Sequence, residues 1–152
     1  MAQQITTDSE FKAALSQLNL TQQRQVGALF VERVLNLCDD YRVKNALEAA
    51  KQTTLNPEEL TTAYRAAKAA STERFTQCGK DADWLAQAGH FVAAASADCV
   101  LPTEQLKPTD NLAWNAAMHA RMARNCETIA QGEGSDNQEA QSQYEILANF
   151  LS

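Results

Sequence analysis

Apolar positions recur every three or four residues along most of the chain, the spacing that lines one face of a helix. Phe11, Leu15 and Leu18 share such a face, and Thr7 followed by Glu10 supplies a capping-box start for it. From Thr21 a second stripe carries Val26, Leu29, Phe30, Arg33, Val34, Leu37 and Cys38. Asp39, Asp40 and Tyr41 interrupt it, and Ala46, Leu47 and Ala50 continue a third helix to about Gln52. Asn56, Pro57, Glu58 and Glu59 form the clearest start in the chain: a capping side chain, a proline whose missing N–H costs nothing in a first turn, and two acids at the positive end of the helix dipole. This fourth helix is predicted to reach Cys78, with Leu60, Ala63, Tyr64, Ala67, Ala70 and Phe75 inward and Gly79 as its stop.

The fifth pattern, over about 81–100, has His90 as its only ionisable side chain from Trp84 to Ala97. A helix that is apolar nearly all round is buried on most sides, so it is expected at the centre. Two prolines in LPTEQLKP demand a surface loop over 101–108. Thr109 or Asp110 would cap a sixth helix whose inner stripe is Leu112, Ala113, Ala116, Ala117, Ala120, Ala123, Cys126 and Ile129. After the loop QGEGSDN, Ser135 or Asp136 would cap a last helix carrying Tyr144, Leu147, Ala148 and Leu151. The expectation is an all-α fold: one domain over 1–152, a compact bundle of about six or seven helices around a buried central helix. An acidic loop and helix over 131–152 should pack on it and be detachable in principle.

Composition sharpens this. The 27 alanines against 6 valines and 3 isoleucines favour helices over sheets, and their small side chains let helices approach closely. A hydrophobic content of 45% is too high for a disordered chain. The formal charge of −6 argues against a general nucleic-acid binder. No Lys or Arg follows Arg124, whereas Glu127, Glu133, Asp136, Glu139 and Glu145 do. That excess reads as a solvated face or as a docking surface for a basic partner. The start shows no secretory pattern, and the most apolar stretch, 84–97, falls short of the roughly 20 residues a membrane span needs, so a soluble cytoplasmic chain is expected. Cys38, Cys78, Cys99 and Cys126 lack CxxC spacing and read as reduced, mostly buried thiols, a disulfide being the alternative that spacing leaves open.

Candidate chemistry is sparse. A carboxylate-bridged di-iron bundle wants Glu-x-x-His on two helices, but Gln87 precedes His90 and Ala116 precedes His119 at that spacing. Cys99, Cys126, His90 and His119 contain no close-spaced zinc-ligand pair. No serine sits in a glycine elbow, and the five glycines match no phosphate-cradling pattern. No catalytic residue, metal or cofactor is expected. His90 reads as a satisfied core histidine or as the polar lining of a ligand pocket. Arg121 and Arg124, with Glu127, read as an exposed edge of the sixth helix held by a helical ion pair, or else as a basic site for an anionic ligand. Asp39, Asp40 and Arg42 form a corner where the carboxylates cap the next helix and the arginine reaches back, or else a binding site.

The corner DDYRVKNALEAA and the segment LAQAGHFVAAASAD, with RQVGALFVERVL and AYRAAKAA, resemble the small helical bacterial Imm-5-like immunity proteins. Asp40 and Arg42 match that family's Asp-x-Arg-Pro corner, Glu32 and Arg33 the helix before it, and Gly89, His90, Val92 and Ala93 the later Ala-Gly-His motif. The resemblance spans about 24–128. Val43 stands where the family has proline, Ala97-Asp98 replaces Ala-His, and residues 99–111 read as an insertion. The resemblance implies a cytoplasmic, non-enzymatic protein that binds and neutralises a cognate toxin, often a basic one. Binding is then expected at Asp39, Asp40, Arg42 and His90 and at the acids Glu133, Asp136, Glu139 and Glu145. The competing readings are a helical protein with a small-ligand pocket near His90 and an oligomeric scaffold, a homodimer for instance.

Overall fold

The computed structural model describes residues 4–54, 56–77, 83–134 and 136–152, except for the side chain of Gln77. Seven α-helices run through the described residues: α1 (Asp8–Ser16), α2 (Leu20–Glu32), α3 (Tyr41–Lys51), α4 (Pro57–Gln77), α5 (Trp84–Cys99), α6 (Leu112–Ala130) and α7 (Glu139–Leu151). Single 3₁₀ turns lie at Leu35–Leu37 and Thr103–Gln105. The all-α bundle read from the sequence is what the chain forms.

Local chemistry sets the ends. Thr7 Oγ1 accepts from the Glu10 amide at 3.2 Å, while the Glu10 carboxylate accepts from the Thr6 amide and both threonine hydroxyls. α2 opens one step earlier than expected, because Asn19 and Gln22 form a reciprocal capping box. It also ends earlier: Val34 leaves the helical region and the 3₁₀ turn redirects the chain, so that Leu37 and Cys38 lie beyond the helix. Asn111, not Thr109 or Asp110, caps α6. The Asn137 side chain, not that of the expected Asp136, accepts from the first amide of α7; Ser135 lies outside the described residues, as do the expected ends at Cys78 and Gly79 and the start at 81–82.

α5 is central, packing against α6, α4, α3 and α2, with Ala88, Gly89, Val92, Ala93, Ala95, Ser96, Ala97 and Cys99 buried. Its first turn projects, leaving Leu85 57% exposed. One core fills the space between α2, α3, α4, α5 and α6. A second joins α1, α2, α6 and α7 around Phe11, whose ring lies 5.5 Å from Phe30 and 5.4 Å from Tyr144. Alanine makes the close crossings possible. At Gly27 even a β-carbon would come 3.1 Å from Cys99 Sγ and 3.6 Å from the Ala116 methyl, so α2 lies almost backbone-on against α5 and α6. Phe75 departs from its expected inward place: it is 66% exposed, its ring lying over His90 at 5.3 Å instead of entering the core.

Candidate functional site

The Asp39–Arg42 corner is a clasp. Asp40 Oδ1 accepts from the Arg42 amide at 2.9 Å, capping α3, and the Arg42 guanidinium folds back onto the same carboxylate through Nε (3.1 Å) and Nη2 (2.9 Å). The guanidinium also reaches Glu73 on α4 at 2.7 and 3.2 Å. Arg74 approaches Asp40 at 3.5 Å and donates to the Asp39 carbonyl. The Arg42 hydrogen bonds hold the carboxyls of Asp40 and Glu73 below their ordinary range, and those carboxylates push the Arg42 pKa up. Asp39 is exposed. The corner therefore locks α3 onto α4, and Arg42 carries no charge in excess of its partners.

Beside this clasp lies an open groove of about 570 Å³ between α3 and α4, walled in part by Arg42, Glu48, Glu58, Glu59 and Thr62. Arg42 is engaged by Asp40 and Glu73, and no basic residue among the described ones forms an ion pair with Glu48, Glu58 or Glu59. Glu58 and Glu59 also face the positive end of α4.

The acids after Arg124 do not form one face. Glu139 is 2% exposed, gripped by Arg124 Nε at 3.0 Å and by Arg33 at 3.3 and 3.4 Å. Arg124 also holds Glu127 at 2.6 Å and the Arg33 carbonyl at 2.8 Å. Arg121 binds Asp8 at 2.8 and 3.0 Å and Gln143 at 2.8 Å. The expected exposed edge of α6 is thus a pair of clamps that fix α7 and α1. Glu133 and Asp136 remain exposed in the loop before α7, and Glu145 on α7 itself, about 9 Å along the helix from Glu139.

His90 is half-buried between Phe75 and Phe91, with Nδ1 2.8 Å from the Ser71 carbonyl and 3.1 Å from its hydroxyl. Its polar edge is satisfied by α4, and His90 is absent from the walls of the α3–α4 groove and of four further cavities among the described residues. The reading of a ligand pocket there gains no support. A second histidine pairs with a carboxylate: His119 Nδ1 lies 2.5 Å from Asp98 Oδ2. Burial pushes the Asp98 pKa up, partly offset by the hydrogen bond to His119. Among the described residues no hydroxyl or thiol is hydrogen-bonded to His119.

No family model, curated protein or solved structure matches the chain. Among the described residues no group of three or more His, Cys, Asp or Glu side chains is placed to hold a metal ion, and no described helix is long and apolar enough to cross a membrane. Cys38, Cys99 and Cys126 are buried; Cys78 lies outside the described residues. Burial pushes the thiols of Cys38 and Cys99 up, which keeps them protonated.

No motif in the sequence marks Arg24. This residue of α2 is 1% exposed and donates through Nη1 to the Cys99 carbonyl at 3.0 Å, at the C-terminal end of α5. Its Nε and Nη2 are buried with no hydrogen-bond partner among the described residues, and burial lowers its pKa. The signal was present: Arg24, Ala28 and Val31 follow helical spacing along one buried face. A guanidinium reads by default as solvated, which hid it.

Proposed function

We propose that the chain is a non-enzymatic binding module of the immunity type, which holds and neutralises a basic protein toxin. The observation that carries the reading is the α3–α4 groove, where Glu48, Glu58 and Glu59 have no basic partner among the described residues and Arg42 is already engaged. An open groove with that charge suits a cationic segment, and complementary charge speeds and orients such an encounter. The resemblance to Imm-5-like proteins over about 24–128 supports the same class and includes both helices of the groove. The C-terminal acids contribute less than their number suggests, since Glu127 and Glu139 are taken by Arg124 and Arg33.

The test is coexpression with the products of the flanking genes. One of them is expected to be a basic growth inhibitor that this chain suppresses and binds in a salt-sensitive manner. The triple variant Glu48→Lys, Glu58→Lys, Glu59→Lys is expected to lose suppression, whereas Glu133→Lys, Asp136→Lys, Glu145→Lys keeps most of it. Suppression that survives the first triple and fails with the second would move the docking surface to the C-terminal region. Absence of any toxic, interacting product among the flanking genes would sink the immunity reading.

A further inference from the structure

Arg24 forms part of the wall of a cavity of about 220 Å³ between the starts of α2 and α4 and the 3₁₀ turn at Thr103–Gln105. The cavity shares no wall residue with the α3–α4 groove. Leu20, Pro57, Leu60 and Pro102 make much of the wall apolar, and Glu104 stands at it as an exposed acid. A guanidinium this buried, with two nitrogens unmatched by protein, is destabilising unless an outside acceptor, best an anion, completes it.

The geometry of the unmatched side names the anion. Nη1 is occupied by the Cys99 carbonyl, leaving Nε and Nη2, which together form one edge of the planar guanidinium. The same edge is filled at four other arginines of this chain: at Arg121 by the Gln143 amide oxygen with Asp8, at Arg124 by Glu139 with the Arg33 carbonyl, and at two by a single carboxylate. Arg33 grips Glu139 through Nε and Nη2, and Arg42 grips Asp40 through Nε and Nη2. Two parallel N–H donors fit a two-oxygen acceptor, and a single halide would satisfy them poorly. The first turn of α2, which borders the cavity and carries no acid, adds the favourable end of a helix dipole.

We propose that this cavity binds a small monocarboxylate, whose two oxygens take the Nε–Nη2 edge of Arg24 and whose short hydrocarbon body lies among Leu20, Pro57, Leu60 and Pro102. The cavity holds on the order of seven waters' volume, which limits the ligand to a few carbons or one ring. Both nitrogens lie beneath the cavity surface, so the head group must displace a wall side chain, and Leu20 and Thr21 on the first turn of α2 are partly exposed. Glu104 repels the ligand and is the rival occupant from within the chain.

The experiment titrates the full chain with acetate, butyrate and benzoate against sodium chloride at equal ionic strength, following the thermal midpoint and the NMR signal of the Arg24 Nε–H. Butyrate or benzoate is expected to raise the midpoint in a dose-dependent manner and to shift that signal, with chloride inactive. Glu104→Gln should tighten binding roughly two- to fivefold by removing a nearby like charge. Leu20→Trp, which fills the cavity and leaves Arg24 in place, should weaken it about tenfold or more. An equal response to chloride overturns the assignment to carboxylates. Binding by Glu104→Gln but not by the native chain overturns the proposal in favour of Glu104 as the occupant. No response from either protein overturns it outright.

Discussion

The arginines of this chain differ in what meets the Nε side of each guanidinium. Arg33 and Arg42 have a carboxylate there, Arg121 has Gln143, and Arg24 has no protein group among the described residues. Sequence spacing placed Arg42 beside Asp40 correctly because the two are neighbours in the chain. It could not find Glu73 or Glu139 as partners, since those arrive from helices 31 and 106 residues away. Asp40 offers a clean measurement. Its carboxyl ionises at lower pH in the folded chain than in the unfolded one, where about 3.9 is ordinary. The associated stability is therefore present above the unfolded value and is lost as pH falls through the folded one. Asp40→Asn keeps an oxygen for the Arg42 amide, removes the charge and replaces the oxygen that accepts from Arg42 Nη2 by a donor. Urea unfolding should show a loss of about 1 kcal/mol near pH 7, after allowance for the partly exposed partners. The difference should shrink as pH falls through the folded-state pKa of the native carboxyl, below which both side chains are neutral; a loss that persisted there would lie in the hydrogen bonds and not in the charge.

Helix existence was legible in the three- and four-residue spacing, but helix starts were displaced by a residue or two. In three of the displaced cases an asparagine supplies the cap: Asn19 on α2, Asn111 on α6 and Asn137 before α7. Neighbouring Thr21, Asp110 and Asp136 have comparable capping ability, so propensity could not choose among them. Two of the asparagines do something an aspartate cannot. Asn111 accepts from the Trp114 amide and donates through Nδ2 to the Leu15 carbonyl, and Asn137 accepts from Glu139 and donates to Asn125. Each tethers its helix start to another element, and that second bond is tertiary, invisible in local pattern. Asn111→Asp should keep the α6 cap yet cost about 1–2 kcal/mol, because a carboxylate would face the Leu15 carbonyl without a donor. Chemical denaturation would read it, and an unchanged midpoint would show the tether to be without weight.

For the molecule as a whole, the central place of α5 was legible because its apolar residues run almost all round. Which helices surround it was not, since the order of short helices along a chain leaves their stacking open. The C-terminal segment is the largest revision. It reads as an acidic appendage, but α7 puts Leu147, Gln143 and Glu139 into the interior and its Tyr144 against Phe11. Deleting residues 132–152 should therefore strip the second core and abolish cooperative thermal unfolding. Circular dichroism and calorimetry would check this, and a sharp transition at an unchanged temperature would restore the detachable helix. Partner binding through the acids of this segment is better probed by charge substitution than by truncation.

The meeting of α1 with α7 also has a meaning in time. A ribosome releases Phe11 more than a hundred residues before the Tyr144 ring that covers it. Until then α1 has only part of its partner surface, from α2 and later α6. The earliest-made of these seven helices is among the last to be enclosed, and its apolar face is a stretch that a holding chaperone would meet on the nascent chain.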